Sequence, residues 1–147
     1  NQAKAILERN NLQELMYRDW HTLSGGEAQR IALVCLQTQD AKVWLLDEPA
    51  NHLDPAVQGE IYRNLVQEWQ SERTVILVTH NINLILGSVP PSEYSKVRVV
   101  GLHERGIYFD CSLSDEKLCT HISSLYQVQV EQVQAFGRNH FVGFWAK

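Results

Sequence analysis

Two short, uniformly apolar runs constrain this 147-residue chain more than any other feature. Val43-Trp44-Leu45-Leu46 stops abruptly at Asp47-Glu48-Pro49, and Thr74-Val75-Ile76-Leu77-Val78 stops at Thr79-His80. Such runs are too short for buried helices, and they lack the apolar–polar alternation of a half-exposed strand. They read as strands of a parallel sheet covered on both faces. Between them, Asp54-Pro55 supplies an N-cap and a proline at the first helical position. Val57, Ile61, Leu65 and Trp69 then recur along one helical face. Strand, helix, strand in that order is a βαβ unit, so the fold class is α/β.

The flanks carry other patterns. Ile6, Leu7, Leu12, Leu15 and Met16 predict one or two short amphipathic helices over 2–17, interrupted at Asn10-Asn11. Ala28, Ile31, Ala32, Cys35 and Leu36 recur at i, i+3, i+4, i+7 and i+8, the stripe of a packed helix. Ser24 and Glu27 have capping-box spacing at its start. After a turn at Pro90-Pro91, two short strands are expected at 97–101 and 107–110, joined as a hairpin through His103-Glu104-Arg105-Gly106. A helix over 114–126 follows. Val128, Val130 and Val133, then residues 141–145 ending at Trp145, predict a closing strand pair.

Composition excludes several classes. Apolar residues make up 44% and charged residues 20%, which is globular rather than disordered. The net charge of −4 comes without a basic tract, so the electrostatic footprint of a free-standing nucleic-acid binder is missing. The apolar runs fall far short of the roughly 20 residues needed to cross a bilayer. Cys35, Cys111 and Cys119 are odd in number and show no C-x-x-C spacing, which argues against a disulfide framework or zinc ribbon and for a reducing compartment.

Three groups of residues carry chemistry. Asp47-Glu48 stands where a buried parallel strand ends, the edge at which open α/β sheets bind ligands. A carboxylate pair there suits a hydrated Mg²⁺ held by Asp47 and an attacking water deprotonated by Glu48. The alternative is an acidic turn closed by Pro49. His80 ends the neighbouring strand and is expected on the same edge, where an imidazole can donate to an anionic phosphate oxygen or to the water. A structural histidine is the alternative there. Leu23-Ser24-Gly25-Gly26-Glu27-Ala28-Gln29-Arg30 sets a hydroxyl and two glycine amides at a helix N-terminus, an arrangement that binds phosphate. A capped helix start explains Ser24 and Glu27 equally well, but leaves the double glycine unexplained.

These segments resemble motifs of the ABC-type ATPases. LSGGEAQR at 23–30 is similar to their signature motif and VWLLDEP at 43–49 to their Walker B strand with its catalytic glutamate. Ala50-Asn51-His52-Leu53-Asp54 is similar to the D-loop, and Val78-Thr79-His80 to the H-loop. The resemblance implies that Ser24 and the Gly25 and Gly26 amides contact the γ-phosphate of an ATP held by the opposite subunit of a head-to-tail dimer, with Leu23, Glu27 and Gln29 in the same nucleotide-binding signature. It implies Asp47 near Mg²⁺, Glu48 as general base and His80 on the γ-phosphate. Asn51, Leu53 and Asp54 would then form the D-loop that communicates across the dimer. Thr79-His80-Asn81-Ile82-Asn83-Leu84 and the tail resemble the ATPases of iron-siderophore, haem and cobalamin importers, with Asn81 in place of the usual Asp. Expected partners are therefore a second ATPase subunit and membrane-embedded permeases, with no nucleic acid, and the expected location is the cytoplasmic side of the inner membrane.

One family element is absent from these 147 residues. Lys4, Lys42, Lys96, Lys117 and Lys147 are the lysines, and none follows a glycine, so no G-x-x-x-x-G-K-[ST] Walker A loop is present. The chain also starts at Asn1 without an initiator Met, and its first residues read as helix rather than as a signal peptide. The expectation is the C-terminal part of one P-loop NTPase domain. Residues 1–39 would be helical subdomain and signature helix, 40–110 the Walker B to H-loop core and hairpin, and 111–147 a small C-terminal β/α region. The strand ending at His80 would then leave an apolar edge bare. Two further functions fit the motifs: a non-catalytic module that completes a partner's ATP site, and a soluble ABC ATPase acting on ribosomes or DNA.

Overall fold

The computed structural model describes residues 2–39, 41–135 and 137–144; Asn1 and Trp145 lie outside the described residues. The chain divides into two compact units between His80 and Asn81. None of the described helices is long and apolar enough to cross a membrane.

The first unit opens with α1 (Gln2–Arg9). It stops at Asn10-Asn11, where Asn11 takes a left-handed φ of 54°, a conformation asparagine tolerates. A 3₁₀ turn over Gln13–Leu15 follows. Leu7, Leu12, Leu15 and Val34 form a buried cluster, with Ile6, Met16, Leu23 and Ile31 packed against it. A second 3₁₀ turn, Trp20–Thr22, leads into α2 (Gly25–Thr38). The buried side of α2 differs from the apolar stripe expected of it. Leu33, Val34 and Gln37 are buried, Cys35 is exposed, and Ala28, Ile31, Ala32 and Leu36 are half-buried. The helix turns Gln37 inward because a buried polar network receives it.

That network centres on Glu68 of α3 (Pro55–Gln70). Gln37 Nε2 donates to Glu68 Oε1 at 2.9 Å, Arg9 Nη2 donates to the same oxygen at 3.2 Å, and Arg73 Nε lies 3.1 Å from Oε2. Burying a carboxylate to this degree is costly unless it is paired. The Arg73 guanidinium also stands 4.9 Å over the ring of buried Trp44.

β1 (Val43–Asp47) and β2 (Thr74–Val78) pair in parallel, with Val43 opposite Thr74 and Asp47 opposite Val78. With α3 between them this is the expected βαβ unit. The expectation of two covered faces is not met. Trp44 is buried on one face, while on the other Val43 is 52% exposed, Leu45 73%, Ile76 53% and Val78 54%. Residues alternate across a strand, so a uniformly apolar run reports two faces fit for burial; the described residues cover only one.

The second unit runs α4 (Ile82–Ser88), a 3₁₀ segment Pro91–Lys96, β3 (Arg98–His103), β4 (Gly106–Ser112), α5 (Leu118–Tyr126), β5 (Gln129–Ala135) and β6 (Arg138–Phe144). β3–β4 and β5–β6 are antiparallel hairpins. Phe109 lies across Gly101, where an added Cβ would stand 2.2 Å from its ring, so only glycine fits. The helix expected over 114–126 begins later, at Leu118, because Asp115 holds a turn there and accepts from Lys117 N at 2.8 Å. Side chains fasten β6 to α4. Asn83 donates to Phe141 O and accepts from Phe141 N, both at 2.8 Å, and Arg138 donates to the Gly87 carbonyl at the end of α4.

Candidate active site

Three sets of side chains in the first unit hold the residues singled out in the sequence. The first lies at the carboxyl rim of the parallel pair. Glu48 N donates to Val78 O at 3.0 Å, extending the ladder one step past β1. Glu48 then turns at φ 46°, a left-handed conformation costing a non-glycine residue on the order of 1 kcal/mol. This turn sets Glu48 Oε1 2.7 Å from Nδ1 of His80, which follows β2. Glu48 is 30% and His80 64% exposed, so the pair is open to ligand while remaining tied to two strands. Asp47 ends β1 exposed; among the described residues its carboxylate carries no hydrogen bond or ion pair, so its oxygens are available.

Beneath this rim is a residue the sequence patterns missed. Tyr62 of α3 is 2% exposed and donates to Thr79 Oγ1 at 3.0 Å, one residue before His80. Burial pushes its phenol upward from the ordinary value, with the negative charge of Glu48 acting the same way and the Thr79 hydrogen bond opposing it. Its only sequence signal is position: Tyr62 follows Ile61 on the apolar side of α3, and its partner is 17 residues away.

The second set is the loop from β1 into α3. Asn51 N donates to Glu48 O at 3.1 Å, and Asn51 Oδ1 accepts from His52 N at 3.0 Å. His52 is left-handed at φ 61°. Gln58 Nε2 reaches back to the carbonyls of Ala50 and Leu53 at 3.2 and 3.1 Å. Asp54 Oδ1 caps α3, accepting from Ala56 N and Val57 N, both at 3.1 Å. The loop is thus held at both ends.

The third set is the start of α2. Ser24 Oγ accepts from Glu27 N at 3.3 Å and Glu27 Oε2 accepts from Ser24 N at 2.7 Å, the full capping box. These bonds hold the Glu27 carboxyl below its ordinary range, the Ser24 backbone bond most strongly, with Arg18 and Arg30 adding to the effect. A Cβ at Gly25 would meet nothing within 4 Å, and one at Gly26 would only touch Leu53 and Val57 at 3.9 Å. No packing among the described residues therefore requires either glycine. Gln29 is half-buried and, among the described residues, its side chain carries no hydrogen bond.

The structure brings Glu48 to His80, and Gly26 to Leu53. Among the described residues, no hydrogen bond or ion pair joins the α2 start to the Glu48–His80 pair. Also among the described residues, no group of three or more His, Cys, Asp or Glu could cage a metal ion. A hydrated Mg²⁺, which keeps most of its waters and needs one or two carboxylates, fits the open Asp47.

Comparison with known proteins gives a consistent result. The profile of the family described as ABC transporter matches residues 1–51. The phosphonates import ATP-binding protein PhnC 1 of Trichodesmium erythraeum is 34% identical over 126 residues, covering 85% of this chain and 47% of that protein. Its namesake from a Nostoc species is 30% identical over 145 residues, covering 96% of this chain and 51% of the relative. The chain thus spans about half the length of the curated relatives it matches. Among solved structures, a metal-chelate type ABC transporter in an inward-facing conformation superposes with a TM-score of 0.80 at 24% identity, over 97% of this chain and 56% of that one. That likeness speaks for the fold.

Proposed function

Because this chain belongs with the ABC-type ATP-binding proteins, we propose that it supplies half of an ATP-hydrolysing site in a transporter. The 2.7 Å approach of Glu48 to His80 at the rim of two parallel strands carries this reading. Glu48 takes the proton of the attacking water, and His80 orients Glu48 and the terminal phosphoryl group. Asp47 holds Mg²⁺, which when bound neutralises charge on the phosphates. Ser24 and the amides of Gly25 and Gly26 take the γ-phosphate of an ATP bound by an opposing subunit. Leu23 anchors this tip in the apolar cluster, while Glu27 and Gln29 flank it. Asn51, Leu53 and Asp54 link the tip to the rim, since Leu53 lies against Gly26 while Asn51 is bonded to Glu48.

The nucleotide itself is gripped by a subunit bearing G-x-x-x-x-G-K, a motif these 147 residues lack. Partners are a second ATPase subunit in head-to-tail arrangement and a membrane-embedded permease, on the cytoplasmic face of the membrane. Import of a metal chelate such as an iron-siderophore, haem or cobalamin is the favoured process. It is supported by the 79–84 segment. Phosphonate import is the second reading, favoured by relatives of that name.

Calorimetry tests the shared site. The purified chain alone is expected to show no micromolar, 1:1 ATP binding, and to complete an ATP site when mixed with a subunit that carries G-x-x-x-x-G-K. Tight 1:1 binding by the chain alone would contradict the proposal.

A further inference from the structure

An acidic side chain beside a phosphate-binding tip is an electrostatic contradiction. Glu27 sits in the first turn of α2, where its charge would repel the phosphate that Gly25 and Gly26 are open to receive. The structure answers this with Arg18. Its Nη1 donates to Glu27 Oε1 at 3.1 Å, and its Nη2 donates to the carbonyl of Thr22 at 2.8 Å. The other Glu27 oxygen is occupied by Ser24 N. One guanidinium fork therefore spans the 3₁₀ turn Trp20–Thr22 and the first turn of α2, with Ser24 between them.

The neighbouring charges are otherwise engaged. Arg30 donates to Glu60 Oε1 and to the Asn10 carbonyl, both at 3.0 Å. The Asp19 carboxylate caps the 3₁₀ turn through His21 N at 2.9 Å. We infer that Arg18 is a positioning residue of the phosphate tip: it fixes the turn that presents Ser24, and it cancels the Glu27 carboxylate that would oppose phosphate. A lysine matches the charge but not the fork, because one ammonium group has no second planar N–H to span both acceptors. This inference rests on the reading of the α2 start as a phosphate tip.

The test titrates inorganic phosphate, at constant ionic strength, into the ¹⁵N-labelled chain and follows the Gly25 and Gly26 amides. The unaltered chain is expected to show saturable shifts. Arg18→Ala weakens phosphate binding about three- to fivefold, the scale of an exposed charge pair, and Arg18→Lys recovers part of the loss. Glu27→Gln, which needs no change at Arg18, tightens binding by a similar factor. Arg18→Ala combined with Glu27→Gln returns close to the starting affinity. Equal affinity in Arg18→Ala, no change in Glu27→Gln, or a double variant no better than Arg18→Ala would each overturn the role of Arg18. Absence of any phosphate-dependent shift in the unaltered chain would instead overturn the phosphate tip itself, and the inference with it.

Discussion

The first unit contains two helix starts, each with a good cap, and they differ in what they leave open. At α3, the ionised Asp54 takes the N–H groups of Ala56 and Val57, and Pro55 has no N–H to offer. The positive end of that helix is answered from within. At α2, a neutral serine takes only the Glu27 N–H, while the amides of Gly25 and Gly26 have no partner among the described residues. A cap chosen for stability fills the helix start with negative charge. A start kept for a ligand uses a neutral hydroxyl and removes the side chains that would block approach.

Between the two starts, the larger expected effect comes from making them alike. Ser24→Asp should keep α2 as stable as before, or a few tenths of a kcal/mol more so. Phosphate affinity, followed by amide shifts, should fall about tenfold or more, because a carboxylate faces the incoming charge at about 4 Å. Retained affinity would erase the distinction between the two caps. At α3 the effect should be on stability alone. Asp54→Ala is expected to lower unfolding stability by about 1 kcal/mol in thermal melts, whereas Asp54→Ser should cost only a few tenths. Neither should create phosphate binding, since Pro55 still lacks the donor; if Asp54→Ser did so, the glycines would not be what distinguishes α2.

The smallest effect is a pH dependence. Glu27 is held below its ordinary value in the folded chain, so its share of stability is present above the unfolded value near 4.5 and is lost as pH falls through the depressed one. Acid titration of the Ser24 and Glu27 amides should therefore show the capping box opening below the usual glutamate range. Glu27→Gln should remove that transition. A midpoint at or above the ordinary glutamate value would contradict the tie between Glu27 and Ser24.

Local chemistry made much of this legible in the sequence. The Ser24–Glu27 box, the Asp54-Pro55 cap and the strand ends before Glu48 and His80 all depend on residues within a few positions of one another. The features that escaped depend on distant partners. Tyr62 acquires its place from Thr79, and Gln37 is drawn inward by Glu68 across 31 residues. The left-handed turn at Glu48, which aims its carboxylate at His80, has no glycine to announce it. The bare face carrying Leu45 and Ile76 shows the limit from the other side, because an apolar run states what can be buried and not what covers it.

Turnover tests the central claim most directly. In an assembly where a G-x-x-x-x-G-K loop lies beside the Glu48–His80 rim, Glu48→Gln should lower ATP hydrolysis by roughly 10²- to 10⁴-fold while ATP remains bound, the loss expected for a general base. Hydrolysis unchanged by that substitution would mean that Glu48 and His80 meet at the rim for a structural reason, and that the catalytic account is wrong.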